Sequence, residues 1–264
     1  MERFYLGTHE PSWLRRTAVP LFYSAVRLRR YRRIPRARGR WALDSGGFSQ
    51  LQAHDRWTGT DAEYASEVRA WVDQVGLPDF AAPRDWMCEP PMLAKTGKTV
   101  AEHQALTIES VVTLRAIAPH VPWLPVLQGW YVDDYLSHIE QYRAAGIDLT
   151  REESVGVGSV CKRQSTREGG AIFNAVARAG IAIHAFGVKV DGLKMYGHRV
   201  RSADSLTWSF VARKRGIHMD GCTHATCANC FRWAHEWRRT RIAPMLPATG
   251  QLALAFGSPS SMTA

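Results

Sequence analysis

No apolar run in the sequence approaches the length of a membrane span, which leaves no candidate for a spanning helix. The first residues, Met1-Glu2-Arg3-Phe4-Tyr5-Leu6-Gly7, lack the long apolar core of a secretory leader. The expected compartment is therefore the cytoplasm, that of a host cell if the gene is phage-borne, with no membrane partner. No Gly-x-Gly-x-x-Gly follows the first apolar run, which argues against a dinucleotide-binding fold. Cysteine is scarce, with five in 264 residues, and three of the five crowd into one short segment. In a reducing compartment that crowding points to metal rather than disulfides. Acid is in deficit: 24 Asp and Glu stand against 34 Lys and Arg, a net charge of +10. Such a balance favours a polyanionic partner.

What is present is a core of ordinary size, 45% hydrophobic, and an alternation of two periodicities. Strand signals fall at 3–8, 20–24, 40–43, 78–83, 123–129, 155–160, 181–189 and 202–208. Helical spacing falls at 61–75, 99–117, 132–145, 168–179, 193–201 and 231–241. Thr99 with Glu102 reads as a capping box, and Gly146 and Gly180 read as helix stops. Strand alternating with helix, with roughly eight strand candidates, is the pattern of an α/β chain forming a (β/α)8 TIM-like barrel. An open doubly wound sheet is the alternative. The expected division is a barrel over 1–215, a zinc-binding segment and basic helix packed on it over 216–245, and a flexible Gly-, Ser- and Ala-rich tail over 246–264.

Polar residues gather at the expected carboxyl ends of the strands, where parallel barrels place their active sites. They are Asp44 and Ser45, Asp85, Gln128, Gly158 and Ser159, and Asp204. Each alone reads as an ordinary strand-end turn residue. Together they would ring one mouth with three carboxylates, which raise one another's pKa. Paired acids suit glycosyl-bond chemistry, in which one attacks the sugar carbon and another moves a proton. Asp85 and Gln128 carry acceptors and donors suited to a purine edge. Trp86, Trp130 and Tyr131 offer faces on which a flipped base could stack; the ordinary reading is that they are core aromatics.

These residues match a family. Asp44-Ser45-Gly46-Gly47-Phe48, Gln128-Gly129, the glycine strand Val155 to Val160 and Ala203-Asp204-Ser205 resemble, in the same order, the tRNA-guanine transglycosylases. Phe4-Tyr5-Leu6-Gly7-Thr8-His9, Asp85-Trp86-Met87-Cys88-Glu89-Pro90 and Val126-Leu127-Gln128-Gly129-Trp130 resemble the branch that acts on DNA, the deazapurine DNA-modification transglycosylases. The resemblance implies a DNA-guanine transglycosylase that exchanges guanine for a 7-deazaguanine base, such as the 7-cyano form, through a covalent glycosyl-aspartate. It implies Asp204 as nucleophile and Asp44 as general acid/base. Ser45, Asp85, Cys88, Gln128, Gly129, Gly158 and Ser159 form the implied base-binding set. Base exchange in tRNA, a hydrolytic glycosylase and a non-catalytic nucleic-acid-binding zinc protein are the alternatives. A helper protein that opens the duplex is an open partner.

Cys222, His224, Cys227 and Cys230 offer four thiolate or imidazole ligands in nine residues, a density that suits structural zinc. His235 competes as the fourth ligand. The tRNA enzymes carry Cys-x-Cys-x-x-Cys and a distant His; here His224 stands where the second Cys would be. A second basic feature lies upstream. Arg29, Arg30, Arg32, Arg33, Arg36 and Arg38 form a run whose mutual repulsion a phosphate backbone would relieve. Arg232, Arg238, Arg239 and Arg241 would extend that surface.

Overall fold

The structure is a computed structural model and describes residues 1–161 and 163–247. The expected tail falls at 246–264, so all of it beyond 247 lies outside the described residues. In chain order the elements are β1 (Arg3–Gly7), β2 (Leu21–Ser24), α1 (Ala25–Leu28), β3 (Trp41–Asp44), α2 (Gly47–His54), α3 (Asp61–Val75), α4 (Pro90–Thr96) and α5 (Val100–Ile117). There follow β4 (Val126–Leu127), α6 (Val132–Ala144), β5 (Val155–Val157), α7 (Arg167–Arg178), β6 (Ile183–Ala185), α8 (Val190–Tyr196), β7 (Ser202–Ser205), α9 (Thr207–Arg215) and α10 (Phe231–Arg241). No helix among the described residues is long and apolar enough to cross a membrane.

The strands form one seven-stranded sheet, all parallel, in the order β3-β2-β1-β7-β6-β5-β4. The sequence pattern predicts eight strands; the stretch 78–83 is not one. Ala81 instead makes single parallel bridges to Leu43, on β3, and to Trp123, just before β4. Pro78, Pro83, Pro122 and Pro125 flank these bridges and have no N–H to extend a ladder. A second difference lies at β7, expected to run to 208. The Ser205 hydroxyl accepts the Thr207 N–H at 3.0 Å, which turns the chain into α9.

Side chains alternate across every strand. Phe4, Leu6, Leu21, Tyr23, Trp41, Leu43, Val155, Val157 and Ile183 belong to the main core beneath the helices. Tyr5, Phe22, Ala42, Phe80 and Leu124 form a separate inner cluster with Phe186. Parallel strands covered on both faces bury both parities, which is why they read as near-continuous apolar runs. Two of the long helices are fixed at their starts. Capping boxes Thr60–Glu63 and Thr99–Glu102 start α3 and α5. Helix α10 adds Ala234 and Trp237 to the main core, and Trp237 meets Phe4 at 6.1 Å between ring centres.

Gly7 ends β1 against β7, and a Cβ there would lie 2.8 Å from the Ser205 carbonyl oxygen. Gly7→Ala is expected to destabilise the fold by about 1–3 kcal/mol. Urea unfolding should show a lower midpoint at unchanged slope.

Candidate active site

A cavity of about 420 Å³ opens at the carboxyl ends of the strands. It follows from the alternation. Two residues beyond the inner aromatic layer, the same parity brings Gly7, Ser24, Asp44, Gly158, Phe186 and Asp204 to its wall, with Phe22 in the floor. A second cavity, about 330 Å³, lies at the opposite end of the sheet. Its charges are mutually paired, Arg3 with Asp79 at 3.3 Å and Arg115 with Glu152 at 2.7 Å.

One wall of the upper cavity is a chain of hydrogen bonds. Asp85 accepts from Ser45 Oγ at 2.9 Å on one oxygen and from Gln128 Nε2 at 2.6 Å on the other. Ser159 Oγ donates to Gln128 Oε1 at 2.6 Å and accepts the Cys88 N–H at 2.7 Å. The bonds fix the orientation of the Gln128 amide, and one Nε2 hydrogen has no partner among the described residues. Glu89 Oε2 lies 3.1 Å from the same serine hydroxyl, which has one proton to give. Ser159 holds φ at +54°, a left-handed conformation that costs a non-glycine residue on the order of 1 kcal/mol.

The opposite wall carries the other two acids. Asp204 is buried; its Oδ1 accepts the Gly187 N–H at 2.9 Å and lies 3.4 Å from His184 Nε2. Half-buried Asp44 accepts the Gly46 N–H at 3.1 Å. Burial, then the charges of Asp85 and Asp204, push the Asp44 carboxyl up to about 7. Burial also pushes Asp85 up to about 6, against the hydrogen bonds from Ser45 and Gln128. The two acids share a local joint. Asp44-Ser45-Gly46 and Asp204-Ser205-Leu206 each end a strand and lead straight into a helix. Ser45 Oγ accepts the Gly47 N–H at 3.3 Å, as Ser205 Oγ accepts that of Thr207 at 3.0 Å.

Of the sequence-predicted set, Asp44, Asp85, Gln128, Gly158, Ser159 and Asp204 line the cavity. Ser45, Cys88 and Gly129 do not. Ser45 supports Asp85 from behind. Cys88 is fully buried and contributes its N–H to Ser159, while Gly129 abuts Asp134 and Tyr135 of α6. Trp86 packs beside His103, Trp130 lies under the Arg163 guanidinium and Tyr131 is 71% exposed. The aromatics at the cavity are Phe22, Phe48 and Phe186. Sequence reasoning misses Ser24, Glu89 and His184. Glu89 is visible in the Asp85 to Pro90 motif; nothing local marks His184.

Cys222, His224, Cys227 and Cys230 converge, their ligand atoms all within 4.8 Å of one another. The Cys222–Cys230 and Cys222–Cys227 sulfur separations are 3.8 and 4.0 Å. A tetrahedron with Zn–S of about 2.3 Å has edges of roughly 3.8 Å, so this donor set fits zinc. His235 is elsewhere, bonded to the Phe231 carbonyl and to Thr17 Oγ1 at 3.1 Å, which removes it as a competing ligand. Among the arginines, Arg29 is spent on Glu67 in three hydrogen bonds of 2.7 to 3.0 Å. Arg30, Arg32, Arg33, Arg36 and Arg38 are exposed and in no ion pair among the described residues. Arg238, by contrast, is buried, and Arg239 pairs with Glu236. About one zinc per chain is expected by elemental analysis. Chelation should lower the melting temperature, and Cys227→Ala should lose the metal.

No curated protein matches the chain. Among solved structures it is similar to a Sinorhizobium meliloti protein in an open-loop conformation, provisionally assigned as an isomerase, at 10% identity and a TM-score of 0.40. The alignment covers 77% of this chain and 50% of that one, so the chain spans about half the length of that structure. A family model described as DpdA, DeoxyPurine in DNA protein A, matches residues 1–252. With its motifs in order along nearly the whole sequence, the chain belongs to the DpdA family.

Proposed function

We propose that this chain exchanges guanine in DNA for a 7-deazaguanine base through a covalent glycosyl-aspartate. The observation that carries the reading is one cavity holding Asp204, Asp44 and the Asp85–Gln128–Ser159 chain, with Asp44 poised near neutrality. An Asp204 oxygen attacks the sugar C1′. The C1′–N9 bond breaks with its electron pair going to the purine, and the Asp44 carboxyl supplies a proton to the departing ring. The incoming base returns a proton to Asp44 as its ring nitrogen attacks C1′, and Asp204 leaves as carboxylate. Bonds balance, so no nucleotide triphosphate is needed.

Asp85 accepts from the Watson–Crick donors of the base, and the free Nε2 hydrogen of Gln128 is available to its O6. Phe48 and Phe186 supply apolar walls for the ring. The family's description supports DNA as the substrate. Arg30, Arg32, Arg33, Arg36 and Arg38 supply phosphate contacts that position the strand while the pocket selects the base. Residues 1–215 act as the catalytic barrel and 216–245 as an appended zinc segment. Cys222, His224, Cys227 and Cys230 would hold zinc with four protein ligands, so that it would supply fold and not chemistry.

Asp204→Asn is expected to abolish both exchange and the trapped adduct. Asp44→Asn should slow base transfer by about 10²–10⁴-fold. Incorporation of labelled base into DNA and tRNA side by side checks the first; label in tRNA alone rejects the DNA assignment. The pH–rate profile should be a bell. The rising limb near 6 follows ionisation of Asp85 and the falling limb near 7 loss of the Asp44 proton, both belonging to the coupled acids.

Stability carries a separate signature. Folded Asp44 keeps its proton to about pH 7, whereas an unfolded chain releases it near 3.8. The folded state thus binds the extra proton in that window, and its stability falls as pH rises through it. Asp44→Asn should gain on the wild type in thermal melts from pH 4 to 7.

A further inference from the structure

His184 is the least expected polar group in the interior. It is fully buried on β6, and its ring is surrounded by those of Phe80, Phe186, Phe22 and Tyr5, at 4.6, 4.7, 5.8 and 5.9 Å between centres. An imidazole in such a layer costs free energy that an aliphatic side chain would not, unless its nitrogens are satisfied. One is: Nδ1 lies 2.9 Å from Ser202 Oγ. The other, Nε2, has no well-formed partner among the described residues, and Asp204 Oδ1 lies 3.4 Å from it.

The register explains the contact. His184 pairs with Ser202 across β6 and β7, and Ser202 and Asp204 are two apart on β7, so all three share the inner face. If Nδ1 carried the ring proton, an Nε2 lone pair would face an anionic oxygen. The favourable tautomer has Ser202 donating to Nδ1 and Nε2–H directed at Asp204. Oδ1 then lies before two donors, His184 Nε2–H and Gly187 N–H, and Oδ2 is the oxygen left to react.

We infer that His184 is a positioning residue that sets how readily Asp204 gives up the sugar. This rests on the transfer reading above. Two donors on Oδ1 stabilise the carboxylate more than the ester, because hydrogen bonds to a charged acceptor are the stronger ones. When Oδ2 bonds to C1′, Oδ1 becomes the ester carbonyl and those bonds weaken. When the incoming base attacks C1′, the Oδ2–C1′ electron pair returns to the carboxylate and the bonds tighten. His184 therefore favours the second half of the exchange over the first.

The test is a pulse and chase on the full chain. Labelled DNA is mixed with enzyme without incoming base, the covalent adduct is quantified after denaturation, and 7-cyano-7-deazaguanine is added as the chase. His184→Phe is expected to raise the adduct fraction and slow its release about tenfold, with base affinity unchanged. His184→Gln, which keeps an N–H donor, should restore most of the rate. Ser202→Ala, which unlocks the tautomer without emptying the ring site, should give an intermediate lifetime and serves if His184→Phe fails to fold. A purely structural role would lower melting temperature without lengthening the adduct's life. Wild-type adduct lifetimes in all three variants would overturn the inference and leave the transfer reading standing. Absence of any adduct in the wild type would sink both.

Discussion

Strands only two to five residues long, buried on both faces, leave each inward position a single alternate. That strict alternation is the constraint on which the site depends. Phe4, Ile183 and Ala203 go out beneath the helices; Tyr5, His184 and Asp204 go in. An inner aromatic layer closes the middle of the sheet, and the next inward residue on each strand reaches the cavity. A one-residue slip in β7 would exchange Asp204 for Ala203 or Ser205 and remove the acid altogether. Gly156 shows how tight the arrangement is: a Cβ there would fall 2.4 Å from the Phe186 ring.

The three acids are held differently, and their differences follow from their partners. Asp85 receives hydrogen bonds on both oxygens, Asp204 accepts the Gly187 N–H on one, and Asp44 has the Ser24 hydroxyl and the Gly46 N–H in its favour, with burial and the charges of the other two acids against it. Burial raises the Asp44 carboxyl first and the like charges sharing its cavity add to that, together outweighing its hydrogen bonds from Ser24 and Gly46. A raised acid beside a hydrogen-bonded carboxylate thus arises from burial, neighbouring charge and donors acting differently on identical side chains.

Much of this is legible in the sequence where local signals are complete. Helices α3 and α10 can be read to their boundaries, because their apolar spacing and flanking residues agree. The strand-end acids are legible because motif and position coincide. The stretch 78–83 misleads because its apolar content outweighs its prolines, which forbid a regular ladder. Helix α2 is hidden by Gly46 and Gly47, which read as a turn; the chain does turn at Gly46, with φ at +82°, and then coils. Cys88 and Gly129 are suggested by motif proximity, yet their neighbours face the cavity and they do not. His184 is invisible because its partners, Ser202 and Asp204, are about twenty residues away and meet it only through the pairing of β6 and β7.

The Asp-Ser-x joint occurs twice, after β3 and after β7, and each time the serine hydroxyl caps the turn into a helix. Each acid is therefore delivered with its own hinge and stop: the strand sets its height, the serine ends the strand, and the helix start locks the bend. The pair behaves as two copies of one portable part. A mouth built this way can be re-equipped by changing the residues beyond the serine, because the depth at which the carboxylate sits is already decided by the strand that carries it.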